Sequence, residues 1–326
     1  MKLPGPLWLL STILKWILSI AGWALWTTTA VVIAVAILYL LVLTLYLSST
    51  QFKVETLLGN RLSTPFYANF SNPEQYGLQK AKNLNISGSE GNLGAWFVSP
   101  PSEQYISKTA YILYLHGQAG SRAIKHRIEL YQRLSKLGYH ILAVDYRGYA
   151  DSDGWPDEAG MVDDGQVAYK WLLQEAGGHP VYIWGHSLGA AVAVQVAAKL
   201  EADSISLNGL FMESPFNNLT DLVLLHPVAA PIQYIIPNLA HFLSDVENLF
   251  KSDFWIQKVL TPTLILHDES DDIIVRECAV KLEAASKLAS SSNVRRIEFY
   301  ENLKHNHIAR SERLPAILRD FILNTS

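Results

Sequence analysis

The sequence is poor in cysteine, because Cys278 is the only one among 326 residues. A single thiol excludes an internal disulfide framework and a metal site built on clustered cysteines. Positive charge is also sparse: 26 lysine and arginine residues stand against 30 aspartate and glutamate residues, a formal net charge of −4. Without a long basic run, the chain lacks the electrostatic footprint of a nucleic-acid-binding protein. We therefore expect catalysis to rest on serine, histidine and carboxylate side chains, with no metal or other cofactor.

Charge is nearly absent from the N-terminal part of the chain, which is strongly apolar. Residues 28–47 contain no charge, proline or glycine, and they can cross about 30 Å of hydrocarbon as a helix. Trp23 and Trp26 precede this run, where aromatic side chains anchor a helix at the membrane interface. We predict a membrane anchor over residues 1–50, with a cleaved signal peptide as the alternative. The apolar residues 7–20 form a second span, an interfacial helix or part of the same span.

A polar connection and then one large domain follow the predicted anchor. Residues 51–75 contain two prolines and indicate a linker. From residue 76 to 326, apolar strands alternate with helical stretches, which is typical of an α/β fold with a mostly parallel sheet covered on both faces. The predicted strands are 78–86, 93–98, 110–115, 140–144, 181–184, 209–212, 262–266 and 295–300. The predicted helices are 122–137, 158–174, 188–200 and 310–323.

An insertion at about residues 216–258 interrupts this alternation. Its middle contains more apolar side chains than a solvated loop needs, among them Val223, Leu224, Leu225 and Tyr234. This composition favours a lid that binds an acyl chain, and a plain pair of packing helices is the alternative.

A nucleophile motif follows the predicted strand 181–184. Residues 185–189 read Gly-His-Ser-Leu-Gly, and an alanine-rich helical stretch comes next. A strand, a Gly-x-Ser-x-Gly turn and a helix form the nucleophile elbow of α/β-hydrolases, in which the serine stands at a sharp turn. The flanking glycines allow the strand and the helix to approach closely. Ser187 is therefore the predicted nucleophile.

A serine nucleophile requires a base and an acid that orients the base, and in this fold the chain order is serine, acid, histidine. An acidic turn after the strand 262–266 supplies Asp271 as the predicted acid, with Asp272 as the alternative and Glu213 as a weaker candidate. The loop after the last strand supplies His305 as the predicted base, with His307 as the alternative.

An oxyanion hole needs two backbone N–H donors aimed at the developing negative oxygen. Leu188 follows the nucleophile and supplies one donor. The glycine-containing turn 116–120, after the strand 110–115, is expected to supply the other from Gln118.

Four Asn-x-Ser/Thr patterns match the acceptor site for N-glycosylation. They favour a lumenal or extracellular position for most of the chain. The acceptors are Asn69, Asn85, Asn218 and Asn324.

Several longer motifs extend beyond the elbow. They read Tyr-Leu-His-Gly at 114–117, Asp-Tyr-Arg-Gly at 145–148, Pro-Val-Tyr-Ile-Trp-Gly-His-Ser-Leu-Gly at 180–189, Glu-Ser-Pro-Phe at 213–216 and Leu-Ile-Leu-His at 264–267. Through these motifs, residues 105–323 resemble the membrane-anchored α/β-hydrolases that act as monoacylglycerol and lysophosphatidylserine lipases, the family of α/β-hydrolase domain-containing protein 12.

The resemblance implies a triad of Ser187, Asp271 and His305, in agreement with the assignment from residue order. It also implies an anchor in the endoplasmic reticulum, a lumenal catalytic domain and glycosylation. The sequence departs from the family where Ala150 replaces a usual glycine and where Asp272 replaces a usual proline.

The predicted function is that of a membrane-bound serine hydrolase that cleaves acyl esters of single-chain glycerolipids. Its expected partners are the lipid substrate and the membrane, with no obligate protein partner. An acyl-protein thioesterase with the same triad and a catalytically silent membrane scaffold are the alternatives.

Overall fold

The computed structural model of the chain consists of two compact units, residues 1–53 and 54–326. It describes residues 6–48, 54–55, 57–60, 65–102, 109–227, 234, 246–289 and 293–326.

The first unit contains one long helix, α1, at Pro6–Ser48. Its apolar part, Leu10–Val42, meets the length and composition of a membrane span, and none of it is buried within the protein. The hydroxyls of Thr28 and Thr29 donate to carbonyls one turn earlier in the helix. The helix is longer than the predicted span at residues 28–47, and residues 7–20 belong to it without a break, which agrees with the alternative that they continue into the same segment. It is a candidate membrane anchor.

The second unit contains an eight-stranded sheet with the spatial order β1-β2-β4-β3-β5-β6-β7-β8. The pairs β1–β2 and β2–β4 are antiparallel, and all other neighbouring strands are parallel. The strands are β1 Ala81–Gly88, β2 Gly91–Val98, β3 Tyr111–Leu115, β4 His140–Val144, β5 Val181–His186, β6 Gly209–Glu213, β7 Thr263–Asp268 and β8 Val294–Phe299.

Helices cover both faces of this sheet. They are α2 Lys125–Lys136, α3 Glu158–Glu175, α4 Leu188–Ala202, α5 Leu219–Leu224, α6 Ser252–Trp255, α7 Arg276–Ser286 and α8 Leu314–Thr325. Short 3₁₀ turns lie at Pro73–Tyr76, Ile256–Lys258 and Ile308–Arg310. Alternate residues of each strand enter two separate cores, one packed against α3, α4 and α7 and the other against α2 and α8. All the predicted strands are present, shifted by at most three residues at either end.

Helix α7 was not predicted from the sequence. Its buried face consists of Cys278, Ala279, Leu282 and Ser286. Three of these four side chains are small, so the apolar periodicity that normally marks an amphipathic helix is faint here.

Part of the predicted linker is packed into the domain. Leu58 is only 1% exposed and belongs to the core that contains α3 and α4. Its carbonyl oxygen accepts hydrogen bonds from the Tyr149 hydroxyl at 2.7 Å and from the Ala119 N–H at 3.1 Å. Residues 57–60 therefore belong structurally to the catalytic unit, because a buried leucine and two buried hydrogen bonds hold them there.

Of the predicted lid, the structure describes residues 216–227, Tyr234 and 246–258. Val223 and Leu225 are half-buried against the core, whereas Tyr234 is exposed. Leu224 ends α5 and is half-buried. The other apolar residues that suggested an acyl-binding lid, Ile232, Ile235, Ile236 and Phe242, lie outside the described residues.

Candidate active site

Ser187 lies at a sharp turn between β5 and α4. Its backbone has φ 55° and ψ −119°, a strained conformation for a residue with a side chain. A Cβ at Gly185 would lie 2.6 Å from the Cα of Ala190, and one at Gly189 would collide with the carbonyl oxygens of Leu115 and His116. Both glycines are therefore required for strand and helix to meet this closely. The turn presents Ser187, 9% exposed, at the N-terminus of α4.

His305 and Asp271 form a buried pair beyond the ends of β8 and β7. Nδ1 of His305 lies 2.8 Å from Oδ2 of Asp271. Because a carboxylate accepts, Nδ1 carries the hydrogen, and Nε2 of a neutral ring is left as the basic nitrogen. The other carboxylate oxygen accepts backbone N–H bonds from Ile273 at 3.0 Å and Ile274 at 2.8 Å. This is the geometry of a base oriented by an acid.

Hydrogen bonding decides the ionisation of Asp271. Burial alone would raise the pKa of its carboxyl, but the hydrogen bond from His305, the charges of His305 and His267, and the Ile274 N–H hold this pKa below its usual value. The carboxylate is therefore ionised at neutral pH and can stabilise a histidine cation.

The alternative acids occupy different environments. Asp272 has an exposed side chain. Asp268 is buried and accepts from the backbone N–H of Ser270 at 2.9 Å. Glu213, at the end of β6, is buried and accepts from the indole N–H of Trp184 at 2.7 Å. Among these carboxylates, Asp271 is the one that contacts His305.

Two residues next to the elbow hold the backbone of His305. Nε2 of His186 lies 3.0 Å from the His305 carbonyl oxygen, and the Ser214 hydroxyl lies 3.3 Å from the same atom. Burial lowers the pKa of His186 well below its usual value, and the charges of His305 and His126 lower it further. His186 is therefore neutral, with its proton on Nε2. Sequence reasoning did not assign these residues, because the contacts span about 90 to 120 positions of the chain.

The predicted oxyanion turn, residues 116–120, lies against the elbow. A Cβ on Gly117 would lie 3.1 Å from the Cβ of Ser187. Leu188 is the first residue of α4, where backbone N–H groups have no partner within the helix. Gln118, in the same turn, is exposed. The structure thus brings both proposed donors to the neighbourhood of Ser187.

A charged network supports this turn from behind. Arg122 donates its backbone N–H to Asp145 at 2.7 Å and pairs through its guanidinium with Asp145 and Asp151. Nε2 of His116 lies 3.3 Å from Oδ1 of Asp145. Ala150, where a glycine is usual in the family that the sequence resembles, has φ 50°, which accounts for that preference.

The four glycosylation acceptors differ in accessibility. Asn69, Asn85 and Asn324 are exposed. Asn218 is half-buried; its Oδ1 caps α5 by accepting from Asp221, and its Nδ2 donates to Asp253 at 2.7 Å. A glycan is attached through Nδ2, so the structure disfavours Asn218 as an acceptor.

No group of three or more metal-binding side chains is arranged to hold an ion within the ranges that the structure describes. The reactive side chains that follow the carboxyl ends of β5, β7 and β8 are Ser187, Asp271 and His305.

Comparison with known sequences identifies the family. Residues 111–233 match the family profile of the alpha/beta hydrolase fold. The chain is 33% identical to lysophosphatidylserine lipase ABHD12 of Danio rerio, over 98% of this chain and 85% of that protein. It belongs to the ABHD12 family of α/β-hydrolases. Lysophosphatidylserine lipase ABHD12 of Mus musculus is 33% identical, over 81% of this chain and 72% of that protein. The resemblance seen in the sequence is confirmed, and family membership fits lipid ester hydrolysis.

Solved structures give the same fold for this ABHD12-family chain. An alpha-beta hydrolase from Vibrio vulnificus superposes with a TM-score of 0.68 at 23% identity, over 85% of this chain and 93% of that structure. An esterase of Pyrococcus furiosus superposes with a TM-score of 0.60 at 18% identity, over 81% and 96%. The predicted α/β-hydrolase fold is thereby confirmed.

Proposed function

We propose that this chain is a membrane-bound serine hydrolase in which Ser187, His305 and Asp271 cleave the acyl ester of a single-chain glycerolipid. Ser187 attacks the ester carbonyl while His305 takes its proton. The tetrahedral oxyanion accepts hydrogen bonds from the Leu188 and Gln118 N–H groups. His305 then protonates the leaving lipid alcohol, and water activated by His305 releases the fatty acid from Ser187.

One observation carries this proposal: Nδ1 of His305 lies 2.8 Å from the Asp271 carboxylate, and the His305 carbonyl is bound by His186, which precedes the strained serine, and by Ser214, which follows β6. Nucleophile, base and acid all follow the carboxyl ends of parallel strands, where ligands bind in open α/β sheets.

The proposed substrate is a lysophospholipid with a phosphoserine head group, or a monoacylglycerol. Support comes from relatives that are named lysophosphatidylserine lipases and together match almost the whole chain. The apolar insertion at residues 216–258 is the segment proposed to bind the acyl chain.

The proposed location is the endoplasmic reticulum membrane, with α1 as the anchor and the catalytic unit in the lumen. The exposed acceptors Asn69 and Asn85 support a lumenal position, because glycosylation occurs on that side of the membrane.

The experiment that tests the function is fluorophosphonate labelling of membranes that contain the full chain, with a panel of lipids as competitors. We expect labelling of the wild type, loss of labelling in Ser187→Ala, and the strongest competition from lysophosphatidylserine or monoacylglycerol. Ser204→Ala is a matched control, because Ser204 is exposed and has nearly the same φ, 57°. Hydrolysis at the wild-type rate by Ser187→Ala would refute the mechanism. Absence of labelling in a folded wild type would favour a silent scaffold instead.

A further inference from the structure

A single buried guanidinium holds the oxyanion turn. Arg127, in the first turn of α2, is 2% exposed. Its Nη2 lies 2.9 Å from the carbonyl oxygen of Ala119, 3.2 Å from that of Gly117 and 3.5 Å from that of Gln118. Its Nη1 donates to the Ser121 carbonyl at 2.8 Å. Three successive carbonyl groups of the turn therefore face the same side chain.

The direction of these carbonyl groups fixes the direction of the N–H groups that follow them. In a trans peptide unit the C=O bond and the following N–H bond point in opposite directions. Because the Gly117 carbonyl faces Arg127, the Gln118 N–H points away from Arg127. The same reasoning makes the Ala119 N–H point away, and it donates to Leu58 on the far side of the turn. The turn is thus held from both sides.

The peptide between Gly117 and Gln118 lies next to the nucleophile. Gly117 lies against Ser187, and its carbonyl group is directed to Arg127. A flip of the Gly117–Gln118 peptide would turn a carbonyl oxygen toward the place where the substrate oxygen becomes negative. Such a flip would break the bonds that the Gly117 carbonyl accepts from Arg127 and from Nδ1 of His116, and it would leave a buried guanidinium less satisfied.

The nearest carboxylates in the described part of the chain do not form ion pairs with Arg127, although its charge opposes the rise that burial causes in the pKa of Asp145. Among the described residues, no carboxylate lies within ion-pair distance of its guanidinium. Most of its partners are backbone carbonyl groups of residues 117–121, next to the nucleophile, and it also contacts the Tyr114 side chain. A positive charge in this buried position favours a negative oxygen on the other face of the oxyanion turn.

We propose that Arg127 is a positioning residue that locks the 117–119 peptides so that the Gln118 N–H serves the oxyanion hole. The inference rests on the proposed function, and it assigns to Arg127 a role in the transition state and not in substrate binding. A lysine would keep the charge but lose the planar fork that contacts several carbonyls at once.

The test compares two inhibitors on the full chain in detergent. A long-chain trifluoromethyl ketone adds to Ser187 and forms an oxyanion, whereas an ether analogue of the lysolipid binds without forming one. We expect Arg127→Gln to lower kcat by about 100-fold and to lower the affinity for the trifluoromethyl ketone by a similar factor. The affinity for the ether analogue should be almost unchanged. Arg127→Lys should show the same pattern with a smaller loss.

Two features keep the outcome interpretable. Inhibition constants do not depend on the fraction of enzyme that is folded, so partial misfolding of a variant does not mask the ratio of the two affinities. Arg133→Gln is the matched control, because Arg133 lies on the same helix and donates to the Ser311 carbonyl at 3.3 Å, in a different loop. It should leave the ratio at the wild-type value.

The inference would be overturned if Arg127→Gln lost affinity equally for both inhibitors, or lost affinity for neither. If either result is found while Ser187→Ala is inactive in the same assay, the proposed role of Arg127 is wrong and the proposed function stands. If Ser187→Ala retains the wild-type rate, the proposed function itself fails.

Discussion

At the residue scale, the acid is distinguished from its neighbour by burial and by contact. Asp271 binds His305 and two backbone N–H groups, whereas Asp272 is exposed. We expect Asp271→Asn to lower kcat by about 10⁴-fold, because the amide cannot stabilise the histidine cation and favours the wrong ring tautomer. Asp272→Asn should keep a kcat close to that of the wild type. The measurement is initial-rate kinetics on a lipid ester, and comparable losses in the two variants would contradict the assignment.

Glu213 is the residue for which the structure predicts a pH-dependent stability. Burial raises the pKa of its carboxyl from an ordinary 4.5 to about 7, against the lowering effect of the Trp184 hydrogen bond. The folded state therefore binds the proton more tightly than the unfolded state, so stability falls as pH rises from about 4.5 to about 7 and stays lower above that range. Each pKa unit corresponds to about 1.4 kcal/mol, which gives a cost on the order of 3 kcal/mol at alkaline pH.

Glu213→Gln should remove this cost, because a neutral amide still accepts from Trp184. We expect the variant to gain thermal stability over the wild type at pH 8 to 9 and to show little difference near pH 4.5. Thermal unfolding of the purified full chain across this range is the measurement. A stability difference that does not change with pH would show that Glu213 ionises normally in the fold.

At the scale of elements, the oxyanion turn is joined to the segment that follows the anchor. The Tyr149 hydroxyl and the Ala119 N–H both donate to the Leu58 carbonyl. Tyr149→Phe removes one of these buried bonds, at a cost of about 1 kcal/mol. We expect the loss of stability to be accompanied by a lower kcat, because the turn is less firmly held.

Tyr169→Phe is the matched comparison for this prediction. The Tyr169 hydroxyl also donates to a backbone carbonyl, that of Ser206, which follows the C-terminal end of α4, whereas the elbow lies at its N-terminal end. It should lose similar stability without a change in kcat, as measured by thermal unfolding and initial rates. A parallel loss of kcat in both variants would mean that the Leu58 contact has no special relation to the turn.

At the scale of the whole molecule, the boundary between the two compact units lies between residues 53 and 54. A chain that begins at Lys53 lacks α1 but keeps Leu58, whereas a chain that begins at Pro65 lacks both. We expect the Lys53 chain to leave alkaline-washed membranes and to hydrolyse a short soluble ester. The Pro65 chain should lose stability by about 2 kcal/mol, because the burial of Leu58 is gone. Retention of the Lys53 chain on washed membranes would reveal a second attachment.

The proposed lumenal position makes a prediction about individual acceptors. Asn85 is exposed on β1, at the edge of the sheet, whereas Asn218 uses its amide to cap α5 and to bind Asp253. We expect Asn85→Gln to remove a glycosidase-sensitive mass shift on gels and Asn218→Gln to leave the shifts unchanged. A wild type from membranes that shows no glycosidase-sensitive shift would favour the cytosolic side for this unit.

Local sequence patterns were sufficient for the order of the strands and for the elbow. Apolar runs of strand length predicted all eight strands, and the glycines flanking Ser187 predicted the sharp turn, because both signals lie within a few adjacent residues. The choice of Asp271 and His305 followed from chain order and from distance to a strand end. These features are encoded locally, and a periodic or spaced pattern is enough to predict them.

Contacts between distant parts of the chain were decided by the tertiary structure alone. Arg127 lies on the same helical stripe as Leu130, Tyr131 and Leu134, a pattern that indicates burial but not what the guanidinium binds. Leu58 reads as part of a linker until the folded chain brings Tyr149 and Ala119 to its carbonyl group. A hydrogen bond across such separations has no local signature, because it depends on the sheet order that places the strand ends side by side.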